Sequence, residues 1–88
     1  MADEKEVERI HRLIYRYRML YKRYYTVIQE YIEKATAEMD TVYEMYISGI
    51  INYQDYRNMT SKISEKYNRL IDMKKQEHQR NLDRLGGK

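Results

Sequence analysis

The chain has no proline, cysteine, tryptophan or phenylalanine, and its 88 residues include only three glycines, Gly49, Gly86 and Gly87. Each absence excludes something. Without proline, and with a single glycine before the C-terminal end, nothing interrupts a helix over most of the length. Without cysteine there is neither a disulfide framework nor a thiolate metal site, which fits a reducing compartment. No apolar run approaches the ~18 residues of a membrane span. Residues 2–8, ADEKEVE, are too acidic for a secretory leader. The expectation is a soluble, cytoplasmic protein forming one small domain over residues 1–88.

What is present is charge and tyrosine. The chain is 35% charged and 42% hydrophobic, and all eleven of its aromatic residues are tyrosine. Net charge is only +3, but it comes in blocks: −3 over residues 1–8, +6 over 9–23, −4 over 24–54 and +4 over 55–88. Blocks of this kind order helices by attraction and repulsion.

From Val7 the apolar positions fall at 7, 10, 14, 17, 21, 24, 28 and 31, alternating steps of three and four. Leu13, Leu20 and Val27 widen this stripe on one flank, and Tyr25, Ile32 and Met39 widen it later on the other. That drift is what a straight helix of about 3.6 residues per turn requires, and it carries the stripe to Val42 and Tyr46. The acids Asp3, Glu4, Glu6 and Glu8 favour the positive end of the helix dipole. One helix is predicted from about residue 3 to 48.

Ser48-Gly49 ends it, because a helix C-terminus favours a residue of positive φ just past its last turn. Ile50 stands where a hydrophobic contact commonly closes such a cap. Asn52 supplies the next N-cap, with Asp55 three residues on as a short capping-box acid. A tight turn over 49–52 therefore leads into a second helix over about 53–83, followed by a frayed tail at 84–88. The apolar face of the second helix is Tyr56, Met59, Ile63, Tyr67, Leu70 and Met73. Beyond Met73 the pattern collapses, and His78 reads as a surface residue. The fold class is all-α: an antiparallel two-helix hairpin of long, coiled-coil-like helices.

Folding the chain back near residue 50 pairs Tyr46 with Tyr56, Val42 with Met59, Met39 with Ile63, Ala35 with Tyr67, Ile32 with Leu70 and Ile28 with Met73. Glu30, Glu33, Glu38, Asp40 and Glu44 then lie beside Arg57, Lys62, Lys66 and Arg69. Nearer the N-terminus the second helix offers no apolar partner. Val7, Ile10, Leu13, Ile14, Tyr17, Leu20, Tyr21 and Tyr24 are left uncovered, although burying one such side chain contributes roughly 1.5–3 kcal/mol. A second copy would cover them, giving a homodimeric four-helix bundle with these eight residues as the interface; the alternative is a different protein bound in the same groove.

The same stretch carries six basic residues and no acid between Arg9 and Tyr25. Arg9, Arg12, Arg16 and Arg23 share one side of the helix, away from the apolar stripe. Tyr15 and Met19 lie on that outer side too, and the returning helix adds Lys74, Lys75, Arg80, Arg84 and Lys88 near the same end. Guanidinium groups interleaved with tyrosine suit an acidic protein surface, or phosphates and stacked bases.

Catalytic signatures are missing. Glu8-Arg9-Ile10-His11 has the Glu-x-x-His spacing of di-iron bundles, but His11 lies on the shoulder of the helix and the further glutamates are lacking. No serine has a histidine at a nucleophile–base spacing, and there is no glycine-rich phosphate loop. No cofactor, metal, small-molecule substrate or membrane partner is expected. The functional expectation is a non-catalytic, self-associating adaptor or inhibitor of phage- or plasmid-type accessory kind, with an acidic protein as partner. The alternative is a nucleic-acid binder using the Arg/Tyr face and the basic tail.

Overall fold

The computed structural model describes residues 3–86. It contains two helices, α1 (Glu4–Ile47) and α2 (Tyr53–Leu85), packed antiparallel as an all-α hairpin measuring 71 × 21 × 13 Å. The smallest dimension is about one helix diameter. A hairpin one layer thick cannot surround its own seam, and among the described residues only Val42 and Tyr67 are buried, at 5% and 7% exposure. No helix among these residues is long and apolar enough to cross a membrane.

Local chemistry sets the helix ends. Asp3 caps α1, its carboxylate accepting from the Lys5 amide at 3.2 Å. At the other end Gly49 takes φ 80°; its amide donates to the Tyr46 carbonyl (3.1 Å), and the Ile50 amide donates to the Met45 carbonyl (2.9 Å). This pair of bonds is the Schellman arrangement, which satisfies carbonyls the helix leaves open. Ile50 does not close the cap as its position suggests. It is 70% exposed, and Ile51 turns inward instead. Asn52 caps α2 by accepting from the Asp55 amide at 2.8 Å. No return bond from the Asp55 carboxylate is present among the described residues, since aspartate is one methylene short of a capping-box glutamate.

Among the described residues Gly49 is the one position where the backbone demands glycine. Gly49→Ala is expected to lower stability by about 1–2 kcal/mol, the cost of holding an L-residue in the left-handed region. The space around a Cβ there is open, so the cost is conformational and not steric. Urea melts that coincide with wild type would contradict it.

Tyrosine pairs mark the seam. Tyr46 stacks on Tyr56 with centroids 4.9 Å apart, Tyr31 meets Tyr67 at 6.4 Å, and Tyr24 stacks on His78 at 4.3 Å. The step back along α1 from Tyr46 to Tyr24 equals the step forward along α2 from Tyr56 to His78, so the register is unbroken. The half-buried positions of α2 run Tyr56, Met59, Thr60, Ile63, Leu70, Ile71, Lys74, His78, Asn81, Leu82 and Leu85, spaced by one, three or four with Tyr67 among them.

This differs from the sequence expectation in three places. Met73 is 59% exposed and does not meet Ile28; Lys74 holds the seam position. Ile32 is 46% exposed and turns away from Leu70. The stripe of α2 does not stop near Met73 but continues through polar residues, which an apolar pattern cannot register, as far as Leu85.

Beside Tyr67, Glu38 Oε1 accepts from Lys66 Nζ at 3.2 Å, and Lys66 lies over the Tyr67 ring at 4.9 Å. Glu38 Oε2 is shielded without a hydrogen bond of good geometry. The neighbouring Tyr67 hydroxyl and, after it, the Lys66 ammonium hold the Glu38 carboxyl below its ordinary 4.5. Glu38 in turn raises both Lys66 above 10.5 and Tyr67 above 10.0. A depressed carboxyl contributes stability above its unfolded pKa and loses it as pH falls through the folded value. Raised Lys66 and Tyr67 contribute below their unfolded values and lose it as pH climbs through the folded ones. The cluster therefore stabilises between about pH 5 and 10. Glu38→Gln is expected to melt lower than wild type within that window, with the gap closing below pH 4.5 and above pH 10.5. A pH-independent gap would contradict it.

Candidate interaction surface at the open end of the hairpin

α2 ends level with Tyr17, whose hydroxyl stands 3.6 Å from where a Cβ on Gly86 would lie. Residues 4–16 of α1 therefore project beyond α2 as a single helix, and Val7, Ile10, Leu13 and Ile14 are exposed on it. The other four residues expected at an interface divide differently. Tyr17, Leu20 and Tyr24 are half-buried by the C-terminal turns of α2, while Tyr21 remains exposed. The uncovered row is thus shorter at this end than an early stop of α2 would make it.

His78 is responsible for much of that cover. Its ring stacks on Tyr24 with an 8° interplanar angle and meets Tyr21 edge-on at 4.8 Å. Its Nε2 is shielded from solvent and has no hydrogen-bond partner among the described residues. The sequence reading of His78 as a surface residue is therefore corrected. The signal was its spacing: His78 lies four residues past Lys74 and four before Leu82, continuing the line from Leu70 and Ile71.

The basic residues gather in two grooves and along the projecting helix. One groove is floored by Met19, Leu20 and Leu85 and rimmed by Tyr15, Arg16, Arg23, Asn81 and Arg84. It contains three arginines from both helices and no carboxylate, and none of the three makes an ion pair among the described residues. Tyr15 at its rim is 64% exposed. The second groove brings Lys22, Arg23 and Lys74 beside His78, but Glu77 lies in it and pairs with Lys74 at 3.1 Å. Nearer the N-terminus Arg9 and Arg12 lie with Lys5 and Glu8, and Arg12 faces Glu8 at 3.7 Å. Acids outside the 9–23 stretch thus answer part of the basic face, one turn away along each helix. Lys75 and Arg80 are exposed and line neither groove. Lys88 lies outside the described residues.

Among the described residues no group of three or more His, Asp or Glu side chains could hold a metal ion. The open end combines an apolar projecting helix, a basic groove with an apolar floor, and an exposed tyrosine. Such a combination binds surfaces through shape, apolar contact and charge. Comparison with protein-family models, with curated proteins and with solved structures found no match for this chain.

Proposed function

We propose that the protein is a non-catalytic interaction module that self-associates and whose basic groove takes the acidic surface of a protein partner. The observation that carries this reading is the groove formed by Arg16, Arg23 and Arg84 over Met19, Leu20 and Leu85, without a carboxylate in it. An apolar floor favours a partner with side chains to bury, and unpaired guanidinium groups favour carboxylates above them, often bidentate. The covered half of the hairpin serves as a handle that holds this end in place. Self-association is supported by Val7, Ile10, Leu13 and Ile14, exposed in sequence on one projecting helix.

A second reading, binding to single-stranded nucleic acid, is favoured by one feature: Tyr15 is exposed beside Arg16 at the groove rim, where a base could stack. Salt separates the two. Titrating the protein with a labelled poly-glutamate peptide carrying leucines, and separately with a labelled oligonucleotide, should give tight peptide binding that weakens with salt but is retained in part at high salt through the leucines. Oligonucleotide binding should be weak and collapse with salt, by roughly 0.7 log units per phosphate contact for each decade of salt. Arg16→Ala with Arg23→Ala is expected to reduce peptide binding roughly tenfold or more. Stronger, salt-steep binding of the oligonucleotide would favour the second reading over the first.

A further inference from the structure

The exposed apolar residues of α1 are not confined to its projecting end. Val7, Ile14, Tyr21, Tyr25, Ile32 and Tyr43 are all exposed, and at about 100° per residue they fall, with half-buried Met39, on one arc roughly 40° wide. This face lies beside the seam and not within it, so α2 leaves it open along most of the helix. Its spacing has a property that a core stripe does not need. The steps from Val7 to Met39 are seven, seven, four, seven and seven, the same read from either end, and Tyr43 extends the row by one further step of four.

We infer that this row is the face on which a second copy of the chain packs, with the two α1 helices antiparallel about a two-fold axis between Tyr21 and Tyr25. The inference rests on the self-association reading above and specifies its geometry. A two-fold interface must be self-complementary, each residue meeting a residue of the same patch on the other copy. A palindromic row satisfies that condition: Val7 meets the second copy's Met39, Ile14 its Ile32, and Tyr21 its Tyr25. Four tyrosines then surround the axis. Tyr21 and Tyr25 already stack within one chain, with centroids 6.1 Å apart. Large aromatic residues at the centre of an interface carry much of its binding energy, and their hydroxyls can reach water at the edge.

Charge selects the orientation. Residues 9–23 carry +6, whereas Glu30, Glu33, Glu38, Asp40 and Glu44 make the following part of α1 acidic. Antiparallel packing about residue 23 sets residues 9–22 of one copy beside residues 24–37 of the other, which carry Glu30 and Glu33 against a single cation, Lys34. Parallel packing sets the two basic stretches level with each other, with Arg18 and Lys22 the cations nearest the row. Like charges in apposition suppress that arrangement even where they add little net affinity to the favoured one.

The dimer leaves the binding groove accessible. Arg9, Arg16 and Arg23 lie roughly 160° around α1 from the apolar row. The two basic grooves therefore open outward, away from the two-fold axis, and the dimer presents two of them. Two sites on one particle raise avidity for a partner that is itself repeated.

Cross-linking tests the register directly, because the chain contains no cysteine of its own. Ile14→Cys and Ile32→Cys are made as separate full-length variants, both at exposed positions outside the seam, so the hairpin is retained, as circular dichroism will verify. Mixed and treated with a short thiol-specific cross-linker, the two are expected to give a linked pair. Each alone should stay unlinked, since its two thiols lie roughly 27 Å apart along the bundle. Ile14→Cys linking to itself would overturn the antiparallel arrangement. A dimer by light scattering in which Ile14→Cys and Ile32→Cys fail to link would overturn the row while leaving self-association standing. A monomer at micromolar concentration would overturn both.

Discussion

Val42→Asp is expected to unfold the hairpin at ambient temperature. Val42 is one of two buried residues among those described, and it lies in the seam between Tyr46 and Glu38 on α1. Losing its burial removes roughly 1.5–3 kcal/mol. Desolvating a carboxylate without a partner costs at least a few kcal/mol more, unless the helices separate to wet it. Glu38 stands one turn away at i−4, so the new charge also meets a like one. A domain this small has a stability near the low end of the usual 5–15 kcal/mol. The sum is comparable to the whole. Val42→Ala should remain helical and lose only about 1–2 kcal/mol. Far-ultraviolet circular dichroism with urea titration measures both. A folded Val42→Asp with an unshifted midpoint would mean that the seam does not depend on this position.

Replacing both Ile10 and Ile14 with aspartate is expected to leave the hairpin folded and to separate the copies. Both residues are exposed on the projecting helix, so the seam from Tyr17 to Tyr53 does not depend on them. In a two-fold dimer each substitution occurs twice. Ile14 lies in the apolar row of both copies, so losing even ~1.5 kcal/mol at each weakens association by roughly 10²-fold, and Ile10 beside the row adds to the loss. Tyr15→Asp is the matched control. It introduces one such charge on the same helix, but on the groove side, and should leave the molar mass by light scattering unchanged. If the double variant keeps the wild-type mass, self-association does not use this row.

These two experiments probe different levels of the molecule, and the levels differ in how far the amino-acid sequence determines them. Helix ends were legible because they depend on local chemistry: Gly49 adopts φ 80° and Asn52 caps α2 with its own side chain. The antiparallel register at the closed end was legible too, since Tyr46 and Tyr56 follow from the turn and the apolar period. The open end was not. Reading apolar residues alone loses the stripe of α2 at Met73, because Lys74, His78 and Asn81 occupy the next seam positions.

The sequence by itself determined a two-helix hairpin, its turn, and the separation of arginine from apolar residues on α1. Periodicity and capping are properties of near neighbours, and near neighbours are written in order. Only the tertiary structure decided which side chains of a shared face enter the seam. His78 does so because Tyr21 and Tyr24 present their rings to it, an opportunity that no property of histidine alone predicts. Ile32 and Met73 stay outside because a hairpin one helix thick covers a narrow strip of each helix, and both lie beyond its edge. The same narrowness leaves the second apolar row of α1 uncovered, next to the stripe that α2 already occupies.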